Sequence, residues 1–161
     1  MIVVVMGVSG AGKSTIGASL AAELGWRFLD ADEFHPPQNV AKMAAGMPLA
    51  DADRWPWLDL LNGKLRAIEK AGESAVLACS ALKTSYRERL AAGIGRCEIV
   101  YLRGGIELIR ERLARRSHRY MPASLLESQF ATLEPPTHAI AVDIGGEPSA
   151  AVASIIARLP R

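Results

Sequence analysis

This chain of 161 residues has little of what builds disulfide-rich or membrane-bound proteins. Its two cysteines, Cys79 and Cys97, lie far apart in apolar segments, so we expect buried free thiols in a reducing compartment. The sequence holds no His/Cys cluster with zinc-ligand spacing. No apolar run approaches the ~20 residues of a membrane span, and the N-terminus lacks the basic segment of a signal peptide. We therefore expect a cytoplasmic protein with no membrane partner.

Charge of either sign is not in large excess. The formal net charge is +2, and aromatic residues make up 6% of the chain, so the composition does not favour a nucleic-acid partner. Half of the residues are apolar, which is enough to build one full hydrophobic core. We expect a single domain over residues 1–161.

Short apolar segments alternate with helical patterns along the chain. Strands are predicted at 2–6, 27–29, 75–79, 98–102 and 139–144. Helices are predicted at 13–24, 51–71, 86–91, 106–116 and 150–159. This alternation predicts an α/β fold with three layers, in which helices cover both faces of a five-stranded parallel sheet. Ligands of such sheets gather beyond the carboxyl ends of the strands.

The first predicted strand runs into the pattern Gly7-x-x-x-x-Gly12-Lys13-Ser14. In this pattern, backbone N–H groups surround nucleotide phosphates, the lysine reaches the β- and γ-phosphates, and the hydroxyl joins a Mg²⁺ shell. A glycine-rich turn between two core elements is the alternative. The predicted ATP-binding residues are Gly7, Val8, Ser9, Gly10, Ala11, Gly12, Lys13, Ser14 and Thr15.

Two carboxylates and a histidine follow the second predicted strand. In an extended segment, Asp30 and Asp32 would project to the same side about 7 Å apart. Asp30 is predicted to face the Mg²⁺ shell, and Asp32 to accept the proton of an acceptor hydroxyl. The alternative is an Asp-rich loop that caps the next helix. His35 either hydrogen-bonds a polar substrate or packs against Pro36 and Pro37.

Three cations are candidates for binding an anionic acceptor. Lys83 and Arg87 are four residues apart and would share one face of a helix that begins by Lys83; a solvated helix face is the alternative. Arg54 stands at the start of a predicted helix, after an Asp pair that resembles an N-cap. A cation there is not favoured by the helix dipole, which suggests that Arg54 grips a carboxylate.

Basic residues are concentrated in the segment 110–119, before Tyr120-Met121-Pro122 breaks the helix. Part of this charge complements a helix dipole. The remainder predicts a short mobile lid, approximately residues 115–124, that closes over ATP. Arg112 is predicted to stack on adenine, and Arg116 or Arg119 to meet the γ-phosphate, with Arg119 as a catalytic group.

Taken together, these segments resemble the small P-loop gluconokinases, a family related to shikimate and nucleoside-monophosphate kinases. The segments that carry the resemblance are GVSGAGKS (7–14), FLDADEFHP (28–36), KMAAGMPLADADRWPWL (42–58), CSALKTSYR (79–87), YLRG (101–104) and SQFATLEPP (128–136). One segment departs from the family. Within the segment 117–122 the family pattern Gly-His-Phe-Phe would align with residues 117–120, and Arg119 stands where an aromatic residue is expected.

The resemblance implies transfer of the γ-phosphoryl group of ATP to the 6-hydroxyl of D-gluconate, which gives 6-phospho-D-gluconate, with Mg²⁺ as cofactor. It also implies a cytosolic homodimer. The family roles that carry over place ATP and Mg²⁺ at Lys13 and Ser14 and the acceptor hydroxyl at Asp32. They place gluconate near Arg54, Lys83 and Arg87.

The residues considered without the family resemblance support nearly the same prediction. They predict a Mg²⁺–ATP phosphotransferase for a small anionic acceptor, and they leave gluconate, shikimate and other sugar acids open. A nucleotide-dependent switch is disfavoured because no Gln or Thr suits the positioning of an attacking water. A nucleic-acid kinase is disfavoured by the small net charge.

Overall fold

Five parallel strands form the sheet that carries the rest of the chain in this computed structural model, which describes residues 1–115 and 123–161. The strands are β1 (Ile2–Met6), β2 (Arg27–Asp30), β3 (Ala75–Ala78), β4 (Cys97–Arg103) and β5 (Ile140–Asp143). Their order across the sheet is β2-β3-β1-β4-β5. Because all pairs are parallel, the carboxyl ends of the five strands lie at one edge.

Within the described residues, seven helices and one short 3₁₀ helix lie between and after the strands. They are α1 (Lys13–Leu24), the 3₁₀ helix Ala31–Phe34, α2 (Pro37–Ala44), α3 (Asp51–Lys70), α4 (Thr84–Ala91), α5 (Ile106–Ala114), α6 (Ala123–Thr132) and α7 (Pro148–Arg158). No helix in the described part of the chain is both long enough and apolar enough to traverse a bilayer.

Alternate residues of β1 point into two separate hydrophobic clusters. Val3 and Val5 pack with apolar residues of α1, α5, α6 and α7 on one face of the sheet. Ile2 and Val4 pack with apolar residues of α3 and α4 on the other face. This division is the period-2 alternation of a strand that is buried on both sides. The predicted three-layer α/β fold with a five-stranded parallel sheet is confirmed.

Two helices and one turn differ from the sequence-based expectations. Helices α2 and α6 were not predicted, and the segment after β2, predicted to be extended, is instead the 3₁₀ helix. Pro37 occupies the first turn of α2, where a helix needs no N–H donor. Strand β1 and helix α1 have the predicted bounds, and the other four predicted strands and four predicted helices are present with shifted ends.

Both cysteines are free thiols as expected, but only Cys79 is fully buried, whereas Cys97 is partly buried. Cys79 is buried, and desolvation raises the pKa of its thiol to about 12. Burial likewise raises the pKa of the Cys97 thiol to about 11. Such thiols stay protonated and unreactive at neutral pH.

Candidate functional site

The loop between β1 and α1 has the backbone conformation that its glycines predict. Gly10 and Gly12 take φ values of 83° and 95°, in the left-handed region that favours glycine. A Cβ on Gly10 would lie 3.0 Å from Cγ of Leu113, so a side chain there would push against α5. Gly12 is the N-cap of α1, and the helix N-terminus therefore opens onto this loop. The ammonium of Lys13 donates to the carbonyl of Val8 at 2.9 Å and so folds back over the loop.

Ser14 and Asp30 meet at the carboxyl edge of the sheet. The Ser14 hydroxyl donates to one carboxylate oxygen of Asp30 at 2.7 Å, and the other oxygen accepts from the N–H of Asp32 at 3.1 Å. The two predicted metal ligands are thus side by side. Mg²⁺ is commonly held by one or two protein oxygens together with phosphates and waters, and this pair of oxygen donors fits it. Among the described residues there is no cluster of three or more His, Cys, Asp or Glu side chains suited to a metal ion.

The turn after β2 presents Asp32 to solvent and buries His35. The Asp32 side chain is 67% exposed, whereas the His35 side chain is 3% exposed. The His35 ring stacks on Trp57, with 4.0 Å between ring centroids and 17° between planes. Desolvation by burial lowers the pKa of His35, although the Asp32 carboxylate acts in the opposite direction. Because the segment is a 3₁₀ helix, the predicted extended arrangement of Asp30 and Asp32 is wrong.

Arg54 and Lys83 are brought together through two groups that the sequence analysis did not single out. Arg54 Nη1 donates to the Leu49 carbonyl at 2.6 Å and to the Tyr86 hydroxyl at 2.9 Å. The Tyr86 hydroxyl in turn donates to Asp51, which also accepts from Lys83 Nζ at 3.1 Å. The hydrogen bond from Tyr86, and after it the one from Lys83, lower the pKa of Asp51. The hydrogen bond to Asp51 raises the pKa of Lys83. The resulting cluster carries two cations and one carboxylate.

Arg87 is turned away from this cluster, which corrects the predicted pairing with Lys83. Lys83 is extended and precedes α4, so the two side chains do not share a helix face. The Arg87 guanidinium is buried and donates to the carbonyls of Ala81 at 2.8 Å, Leu82 at 3.1 Å and Glu134 at 2.8 Å. It therefore binds the chain's own backbone rather than facing an acceptor.

A cavity of about 140 Å³ lies beside the glycine-rich loop. The loop and the start of α1 form one wall, and Arg112 and the segment between β5 and α7 form the other. Arg112 donates to the carbonyl of Ile144 within this second wall. Arg112 thus lines the cavity beside the glycine-rich loop, and its predicted contact with adenine stays a prediction. Arg116, Arg119 and most of the predicted lid at 115–124 lie outside the described residues.

Comparison with known proteins identifies the family. Residues 2–136 match the AAA domain family. A gluconokinase from Gluconobacter oxydans is 54% identical to this chain over 133 residues, which cover 83% of this chain and 75% of the relative. The chain belongs to the gluconokinase family. It is accordingly a kinase of the P-loop class.

Solved structures agree with this gluconokinase assignment. A gluconokinase from Sinorhizobium meliloti superposes with a TM-score of 0.87 at 41% identity, covering 96% of this chain and 89% of its own. An unliganded sugar kinase from Janibacter superposes with a TM-score of 0.91 at 44% identity, covering 97% and 92%.

One further residue of this gluconokinase-family chain contacts the phosphate-binding loop. The Gln129 side chain on α6 accepts from the Ser9 N–H at 2.7 Å and donates to the Ser9 hydroxyl at 3.0 Å. The segment 128–136 carried part of the family resemblance, but nothing in its residue types indicates a partner 120 positions earlier in the chain. Only the fold brings Gln129 to the loop.

Proposed function

We propose that this protein is a gluconokinase that transfers the γ-phosphoryl group of ATP to the 6-hydroxyl of D-gluconate. The observation that carries the proposal is the 2.7 Å hydrogen bond from Ser14 to Asp30, which joins the phosphate-binding loop to the acidic turn that bears Asp32. It puts a nucleotide-binding element and a candidate base at one edge of the sheet. The relatives' names supply the acceptor.

In the proposed nucleotide half, the loop N–H groups and Lys13 bind the β- and γ-phosphates of ATP. Ser14 and Asp30 would hold Mg²⁺, which neutralises phosphate charge when it is bound. The cavity beside Arg112 receives the adenine end. Arg116 and Arg119 remain proposed phosphate ligands, with Arg119 as the catalytic cation.

In the proposed acceptor half, the gluconate hydroxyl oxygen attacks the γ-phosphorus, the bond to the β-phosphate oxygen breaks, and ADP leaves. Asp32 accepts the hydroxyl proton; because the transition state is loose, a weak base suffices when proton transfer is late. Arg54 and Lys83 supply positive charge for the gluconate carboxylate, with His35 at the floor of the site. Arg87 does not contact gluconate in this proposal, because its guanidinium donates to backbone carbonyls.

The proposal extends to the state of the protein in the cell. On the family resemblance, residues 1–161 form one kinase domain with a lid, and the enzyme is a cytoplasmic homodimer. A shikimate-type or other sugar-acid kinase is the alternative, since Arg54 and Lys83 would also suit other small carboxylic acids.

An ADP-release assay on a panel of acceptors tests the proposal. With Mg²⁺–ATP, we expect turnover on gluconate well above that on shikimate, glycerate or nucleoside monophosphates, and little ADP without an acceptor.

The variant Asp32→Asn should lose about a hundredfold or more in kcat, the scale of general-base loss, while still binding ATP. Glu33→Gln is the matched control, since Glu33 is an exposed carboxylate in the same turn. Equal ADP release with every acceptor, or near-normal kcat in Asp32→Asn, would contradict the proposal.

A further inference from the structure

Asn39 on α2 is the fully buried amide of this site. Its Nδ2 donates to the backbone carbonyl of Asp53 at 2.9 Å and lies 3.2 Å from Nδ1 of His35. Its Oδ1 is buried and has no hydrogen-bond partner among the described residues. A buried oxygen without a hydrogen bond destabilises the folded protein. The bonds of the Asn39 NH₂ group must therefore favour this orientation of the amide.

The orientation of the Asn39 amide is set by the carbonyl of Asp53. A carbonyl oxygen only accepts hydrogen bonds, so the Asn39 atom that faces it must be the NH₂ group. A flipped amide would set Oδ1 against that carbonyl oxygen and lose the bond. The same NH₂ group faces His35 Nδ1, and that nitrogen must therefore accept. The neutral ring then carries its proton on Nε2.

The Nε2 side of the ring is directed at the proposed base. His35 Nε2 lies 4.0 Å from Oδ1 of Asp32, and a movement of ~1 Å by the exposed Asp32 side chain would make a hydrogen bond. The opposite tautomer would direct a lone pair at the carboxylate and repel it. Stacking on Trp57, whose Nε1 donates to the Ala31 carbonyl at 2.8 Å, fixes the plane of the ring against the turn.

We propose that Asn39 is a positioning residue that holds His35 in its Nε2–H tautomer, so that the ring offers a hydrogen-bond donor to Asp32. One carboxylate oxygen is then held by His35, and the other is left for the acceptor hydroxyl. This inference rests on the proposed function, in which Asp32 takes the hydroxyl proton. Desolvation by burial lowers the pKa of His35, which favours the neutral ring whose Nδ1 accepts from the Asn39 NH₂ group.

The first test reads the tautomer directly by long-range ¹H–¹⁵N NMR on the full-length protein, above pH 7.5. The His35 signals are assigned by their loss in His35→Gln. In the wild-type protein we expect the Nε2–H pattern. In Asn39→Ala, which removes the donor to Nδ1, we expect a rising Nδ1–H population, and in Gln38→Ala, an exposed position of the same helix, no change. A wild-type ring in the Nδ1–H form would overturn the proposal, and so would an unchanged ring in Asn39→Ala.

The second test separates positioning from folding and from substrate binding. Asn39→Ala should lower kcat about tenfold, less than the loss expected on removing the base itself, with the KM for both substrates changed less than about twofold. His35→Gln, whose amide can offer a donor near the position of Nε2, should keep more kcat than His35→Ala. Equal losses in those two variants, or an effect confined to KM, would contradict the proposal. The wild-type NMR result needs no turnover and uses a variant only to assign the His35 signals, so it stands apart from failure of the gluconokinase assignment and from misfolding of Asn39→Ala.

Discussion

At the scale of single residues, Arg87 shows how a buried cation serves the loop beside the site. Ala81 takes a φ of 44°, a left-handed conformation that costs a non-glycine residue of the order of 1 kcal/mol. The Arg87 guanidinium donates to the carbonyls of Ala81 and Leu82 and so holds this turn. The turn leads directly into Lys83, one of the two cations proposed to bind the acceptor.

Replacing Arg87 by alanine should therefore destabilise the whole protein. The carbonyls of Ala81, Leu82 and Glu134 would lose their donor, and we expect a loss of about 2–4 kcal/mol, equivalent to a fall in Tm of roughly 5–15 °C. Arg89→Ala is the matched control, since Arg89 lies on the same helix and makes an exposed ion pair with Asp59. Thermal unfolding followed by circular dichroism measures both, and the Arg89 variant should change far less. Equal Tm values for the two variants would show that Arg87 is not a structural residue.

The site residues that could be predicted from the sequence are those that belong to a local sequence pattern with a known chemical role. Lys13 and Ser14 follow from the spacing of the glycines, and Asp30 from its place after a strand. Arg87, Asn39 and Gln129 could not be read in the same way, because their partners lie on other elements and are set by tertiary packing. A cation near a cleft looks the same in the sequence whether it faces a ligand or a backbone carbonyl.

At the scale of elements, α6 contacts the phosphate-binding loop through Gln129. Gln129 makes two hydrogen bonds to Ser9, and Glu134, just beyond the helix, accepts from the Thr84 N–H at 2.8 Å. Helix α6 begins at Ala123, within the segment predicted to form the lid. The helix thus links that segment to the loop that would hold ATP.

We expect Gln129→Ala to weaken ATP binding without unfolding the protein. The loss of the bond that restrains the Ser9 N–H should cost about 1 kcal/mol, which corresponds to a roughly fivefold rise in Kd for Mg²⁺–ATP. Glu127→Ala is the control, because Glu127 is on the same helix and pairs with Arg110 at the surface. Titration calorimetry gives Kd for each variant. An unchanged Kd in Gln129→Ala would mean that the loop keeps its shape without α6.

The elements that were missed have a common physical cause. Helix α2 has only eight residues and leaves Val40 and Met43 exposed, so no buried apolar stripe marks it in the sequence. The 3₁₀ helix after β2 depends on Asp30, whose carboxylate caps it by accepting from the Asp32 N–H. Short elements held by caps and by packing leave little periodicity, whereas the long amphipathic helix α3 and the buried strand β1 could be predicted.

At the scale of the whole molecule, the titratable groups set how stability depends on pH. Within residues 1–115 and 123–161, five carboxyl groups have a pKa below the ordinary value, chiefly because they accept hydrogen bonds from neighbouring side chains or backbone N–H groups. They are Asp51, Asp53, Asp59, Glu69 and Asp143. A lowered pKa in the folded state means that the unfolded chain takes up protons first, so this stabilisation is present above about pH 4 and is lost as the pH falls through the folded values.

As the pH falls, His35 causes a separate loss of stability that begins before the loss caused by the carboxyl groups. Its pKa is lowered in the folded protein, so the unfolded chain binds a proton first as the pH falls below about 6.5, and stability declines from there towards the folded pKa. Urea unfolding from pH 8 to pH 3 should therefore show a plateau, a shallow decline below about 6.5, and a steeper one below about 4. His35→Gln should remove the shallow decline and keep the steep one, because the carboxylates are untouched. A shallow decline that persists in His35→Gln would assign it to another group and would mean that the buried ring is not the residue that resists protonation.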